Sequence, residues 1–189
     1  MAELSRPVVL CGVKHCGKST LGALLAKRWG VPFFDTDSAL EKRYRAEHPA
    51  AGSATVRGIY RALGAEAFRR LESEVVAELA ALPCAGRVVA TGGGVFSNGN
   101  IPEATLKKLG FCVFLEIDSG LAFRRVMRRG VPPFFAEAAD PRAEFERMNR
   151  ERCEVFQKYA ALTVPIEREV SAFRQAEVLA RRIAECGVL

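Results

Sequence analysis

The chain has 189 residues, 49% hydrophobic and 26% charged, with a formal net charge of +6, which suits one α/β domain around a single core. Its longest apolar run, 111–117, is far too short to span a bilayer, and the polar opening Met1-Ala2-Glu3-Leu4-Ser5-Arg6 has no secretory h-region, so a cytoplasmic protein without a membrane partner is expected. The basic residues are interleaved with Asp and Glu and lack aromatic stacking partners, so the positive balance points to small anionic substrates and no nucleic acid.

Taken in chain order, short apolar runs alternate with amphipathic stretches. A strand is predicted at Val8–Cys11, a helix at Lys18–Trp29, a short strand at 32–34 and a helix at 38–47. A Pro/Ala/Gly/Ser loop follows at 48–54, then a helix over 56–82 interrupted by Gly64. Val88–Ala90 reads as a strand ending in Gly92-Gly93-Gly94, 101–109 as a helix, Phe111–Ile117 as a strand and 121–128 as a helix. The pattern breaks at Gly130-Val131-Pro132-Pro133. It resumes with a helix at Pro141–Tyr159, a strand at Leu162–Ile166 and a helix at 170–186 with Phe173, Leu179 and Ile183 on one face. Five strands alternating with helices predict right-handed βαβ units in a three-layer, doubly wound α/β domain with a parallel sheet, its ligands beyond the carboxyl ends of the strands. Six cysteines with no CxxC pair read as reduced thiols, and Cys11, Cys112 and Cys186 as small core residues.

Gly12-Val13-Lys14-His15-Cys16-Gly17-Lys18-Ser19-Thr20 fits G-x-x-x-x-G-K-[ST] between the first strand and the first helix. In that setting backbone N–H groups, the helix N-terminus and Lys18 converge on phosphate, and Ser19 offers a hydroxyl to Mg²⁺. His15 and Cys16 fill variable loop positions, and His48 falls in a solvated loop. Asp35-Thr36-Asp37 closes the second strand, where carboxylates support a metal or take a proton; Asp37 also suits an N-cap for the following helix. The glycine triplet 92–94 allows close approach of a ligand to the backbone, or is a plain turn. Arg69 and Glu72 share a helix face, either as a carboxylate clamp with its support or as a surface pair.

These motifs, in this order and at about these separations, resemble the shikimate kinase family over about residues 7–183. The resemblance implies ATP and Mg²⁺ as cofactors and shikimate as the small-molecule acceptor. It implies that Lys18 contacts the β- and γ-phosphates, that Ser19 and Asp35 serve the metal, and that Asp37 orients or deprotonates the attacking hydroxyl. Arg69 and Arg152 would clamp the acceptor carboxylate, Gly92, Gly93 and Gly94 would line its pocket with N–H groups, Tyr60 and Phe68 would wall it, and Arg125 would lie over adenine. The implied segments are an acceptor-binding region at about 35–72 and a mobile lid at about 128–142. Two stretches depart from the family pattern. Pro132 stands where the lid arginine is expected, leaving Arg129 or Arg128 to reach the γ-phosphate, and 44–54 adds length beside the acceptor region. The expected protein is a monomeric ATP-dependent shikimate kinase; a gluconate-type kinase and a catalytically weak nucleotide-binding regulator are the alternatives.

Overall fold

Four apolar residues, Val8–Cys11, form β1, and all four are buried because the strand has neighbours on both sides. The computed structural model describes residues 4–52, 54–83, 86–128 and 140–189. The other strands are β2 (Phe33–Asp35), β3 (Val88–Ala90), β4 (Phe111–Ile117) and β5 (Leu162–Ile166), and the sheet order is β2-β3-β1-β4-β5. Every pairing is parallel, with Val9 opposite Val89 on one side and Cys112 on the other. Nearly continuous apolar runs, as in Phe111–Ile117 with Glu116 its one charged residue, are what strands covered on both faces require.

The helices are α1 (Lys18–Trp29), α2 (Thr36–Glu47), α3 (Val56–Ala81), α4 (Glu103–Lys108), α5 (Ser119–Met127), α6 (Pro141–Tyr159) and α7 (Ala172–Ala184). Right-handed crossovers carry α1 and α7 to one face, where they pack together, and α3, α4 and α6 to the other. Phe156 of α6 is fully buried, with its ring centroid 5.4 Å from that of Phe114 in β4. The result is the expected three-layer, doubly wound α/β architecture. Among the described residues no helix is long and apolar enough to cross a membrane.

Several local expectations change. α2 begins at Thr36, two residues before the predicted start, because Asp35 and not Asp37 caps it: the Asp35 carboxylate accepts from the N–H groups of Asp37 (3.0 Å) and Ser38 (3.2 Å). Phe173 is 64% exposed, while Leu179 and Ile183 fill the buried face of α7. Cys186 lies past the end of that helix and is exposed, so it is no core residue. Cys11 and Cys112 are buried, with their sulfurs 3.4 Å apart. His48 is exposed as expected but stacks on Tyr44 at 4.2 Å. α3 breaks at Gly64, whose φ of 75° and ψ of 172° belong to a region that only glycine enters at low cost. The expected lid falls mostly on 129–139, with Arg129, outside the described residues.

Candidate active site

The loop between β1 and α1 wraps around Lys18. This lysine is buried, and its ammonium donates to the carbonyls of Gly12 (2.8 Å) and Val13 (2.9 Å), with Cys16 Sγ at 3.7 Å. No side chain caps the start of α1, so its first-turn N–H groups are open to an anion. His15 takes a left-handed φ of 66°, and Arg125 of α5 holds its carbonyl at 3.1 Å. Glu169 fixes Arg125 in turn through contacts of 3.2 and 2.7 Å. This tie between the loop and the segment before α7 has no sequence motif.

Ser19 Oγ donates to Asp35 Oδ2 at 2.5 Å, so a hydroxyl and a carboxylate stand together beside the phosphate loop. Hard oxygen donors of this kind suit Mg²⁺, which usually takes one or two protein ligands and completes its shell with water and phosphate oxygens. Among the described residues no group of three or more His, Cys, Asp or Glu forms a self-sufficient metal cage.

With Asp35 capping α2, the Asp37 carboxylate is left for the cleft. Desolvation there, and then the charge of Asp35, hold it above the usual carboxylate range against the pull of Lys18 and Lys14. Thr36, buried between them, accepts the Gly92 N–H at 2.7 Å and so ties the end of β2 to the end of β3. That bond occupies the Gly92 N–H, which the resemblance had assigned to the pocket lining. The role of Gly92 is different: a Cβ there would lie 2.5 Å from Asp37 Oδ1 and 3.4 Å from Glu72 Oε1. A Cβ on Gly93 would lie 3.7 Å from the Lys14 backbone nitrogen, so the glycine turn faces the phosphate loop directly.

Glu72 is buried on the other side of that turn. Burial pushes its carboxyl above the usual range and Asp37 adds to this, while the Asn98 amide at 2.9 Å and Arg69 work the other way. The hydrogen bond to Glu72 comes from Asn98, a residue with no sequence signal; Arg69 acts on it through charge. The Arg69 guanidinium is exposed and has no hydrogen-bond or ion-pair partner among the described residues. Tyr60 and Phe68 meet edge to face at 5.3 Å across the Gly64 break. Arg152 sits half-buried on α6, also without a described ion-pair partner.

Two carboxylates, a glycine turn and an unpaired arginine thus stand beside a phosphate cradle, at the carboxyl ends of β1, β2 and β3. A family model for shikimate kinase matches residues 14–185. The chain belongs to the shikimate kinase family. A shikimate kinase of Thermobifida fusca is 39% identical over 186 residues, covering 97% of this chain and 98% of that one. One of Paracidovorax citrulli is 30% identical, covering 95% and 92%. Among solved structures, the shikimate kinase of Acinetobacter baumannii in complex with shikimate superposes with a TM-score of 0.79 at 25% identity, over 97% of this chain and 96% of that one. A gluconokinase of Sinorhizobium meliloti shares the fold alone, with a TM-score of 0.53 at 19% identity over 98% and 97%. Members of this kinase family use ATP, which agrees with the cradle around Lys18.

Proposed function

We propose that this chain is a shikimate kinase that moves the γ-phosphoryl group of ATP onto the 3-hydroxyl of shikimate. The observation that carries the reading is the closeness of Asp37 to the bare Cα of Gly92, beside the phosphate loop. It supports a reading in which this carboxylate meets the acceptor hydroxyl near the terminal phosphate. Residues 12–20, from Gly12 to Thr20, cradle the nucleotide, and Lys18 neutralises charge that develops on the transferring group. Arg125, fixed by His15 and Glu169, flanks the adenine. Ser19 and Asp35 would hold Mg²⁺, which would supply charge neutralisation for phosphoryl transfer.

Asp37 orients the attacking hydroxyl and, being pushed toward the neutral form, is a better proton acceptor than an ordinary carboxylate. Arg69 and Arg152 grip the acceptor carboxylate, Gly92, Gly93 and Gly94 floor its pocket, and Tyr60 and Phe68 wall it. The whole chain works as one monomeric cytoplasmic domain, with an acceptor arm at about 35–72 and a lid at about 128–142 that brings Arg129 to the γ-phosphate.

ADP release with ATP and Mg²⁺ across shikimate, gluconate and related hydroxy acids tests this. Shikimate should be turned over, Lys18→Ala should lose nearly all turnover, and Arg69→Ala should raise the shikimate KM at least ~tenfold, as the loss of a charged hydrogen bond does. Turnover of gluconate without shikimate would overturn the acceptor, and ATP binding without transfer to any acid would favour a regulatory role. An unchanged KM in Arg69→Ala would remove the clamp.

A further inference from the structure

Asn98 follows the short 3-10 turn Val95–Ser97 and is buried, with both donors and one acceptor site of its amide used. One Nδ2 hydrogen goes to the Arg69 carbonyl at 2.9 Å and the other to Glu72 Oε2 at 2.9 Å. Oδ1 accepts the Asn100 N–H at 3.0 Å. Rotating the amide by half a turn would set NH₂ against the Asn100 N–H and leave two acceptors facing oxygen. The orientation is therefore unique, and the side chain is a rigid three-way bracket.

What the bracket joins matters. Its protein partners are the turn of α3 that carries Arg69 and the segment that continues from Gly92–Gly94. Glu72 lies in the middle. The groups that bear on Glu72 are Asp37 from α2, Arg69 from its own helix, the backbone of Gly92 and Gly94, and Asn98. Asp37 repels the Glu72 charge, and Asn98 donates to it. A neutral Glu72 would no longer exert its charge attraction on the Arg69 guanidinium.

We propose that Asn98 is a positioning residue for the acceptor site: its two donated hydrogen bonds hold the Glu72 carboxylate and the Arg69 main chain in one arrangement, and so set the Arg69 guanidinium against the acceptor carboxylate. The role of Arg69 here rests on the shikimate kinase reading above. The effect of Asn98 on Glu72 does not.

Two measurements separate these layers. In the ligand-free protein, ¹³C titration of the Glu72 carboxylate, assigned with Glu72→Gln, should move to higher pH in Asn98→Ala and by less in Asn98→Ser, which keeps one donor. In steady-state kinetics Asn98→Ala should raise the shikimate KM about tenfold, with kcat within a few-fold and the ATP KM unchanged. Asn98→Asp, which loses both donations and adds a third carboxylate, should do worse than either, and Asn98→Ser should recover part of the loss.

An unmoved Glu72 titration in both Asn98→Ala and Asn98→Ser overturns the inference by itself. So does a fall in kcat alone with both KM values constant, since that is what mere loosening of the fold produces. If the unaltered protein turns over no shikimate, the functional reading falls, and the titration still decides whether Asn98 controls Glu72.

Discussion

Gly92 is defined by what lies above it. Its φ is not in the left-handed region, so the backbone tolerates alanine there, and the obstacle is the Asp37 carboxylate 2.5 Å from a Cβ. Gly92→Ala should therefore fold with near-normal stability while displacing Asp37, with kcat falling on the order of 100-fold, as an ångström-scale misplacement does. Paired thermal melts and initial rates check this, and full activity would show that Asp37 is not where the chemistry happens. Glu72 invites a stability experiment. Its folded carboxyl is raised above its unfolded value, so its contribution is fully present at acid pH and is lost as pH rises through the folded value. Glu72→Gln keeps an acceptor for Asn98 and removes the ionisation penalty. Its melting temperature should match the parent at about pH 4 and exceed it increasingly toward neutrality, by ~2–4 °C for each kcal/mol. Its acceptor KM should rise at the same time, because the charge facing Arg69 is gone. A constant difference across pH would mean that Glu72 does not titrate as its surroundings dictate.

The helix carrying Arg69 is two rods. Gly64 breaks α3 at φ 75° and ψ 172°, with nothing within 4 Å of where a Cβ would sit. Gly64→Ala meets backbone strain alone and should cost about 1–3 kcal/mol. It should also turn the 56–63 segment, separating Tyr60 from Phe68 and raising the acceptor KM, which denaturant melts and kinetics report separately. At this scale the sequence was largely readable. Gly64 inside a helical pattern marked the break, and the ranges of β1, α1, β3, β4, α6 and β5 follow directly from apolar periodicity. What periodicity does not encode is which of two neighbouring carboxylates caps a helix. Asp35 and Asp37 are equivalent as residue types, and only the reach of Asp35 to two N–H groups decides it. Phe173 misleads for a different reason: it lies about 120° around the helix from Leu179, in a first turn of α7 that is exposed.

At the scale of the whole molecule, strand order does what no local motif can. β3 lies between β2 and β1, so the Asp35-Thr36-Asp37 end and the phosphate loop are brought to either side of the glycine turn. Alternation of strands and helices announced a parallel sheet, and the family resemblance placed the motifs around one cleft. Neither revealed the joints. The Thr36–Gly92 bond, the Asn98 bracket and the Arg125–Glu169 tie each link residues far apart in sequence, in pairings that no local motif encodes. The joints and the break at Gly64 divide the proposed acceptor region into two parts set on different supports. One part, from Asp37 through Gly92 to Glu72 and Arg69, is braced by Thr36 and Asn98, whereas residues 56–63 are anchored separately, by the Val56 N–H donating to Glu41 of α2 at 2.9 Å and by the fully buried Ile59. Under the proposed function, substitutions at the exposed Tyr60 should therefore alter acceptor scope while leaving the groups around Lys18 and Asp37 as they are.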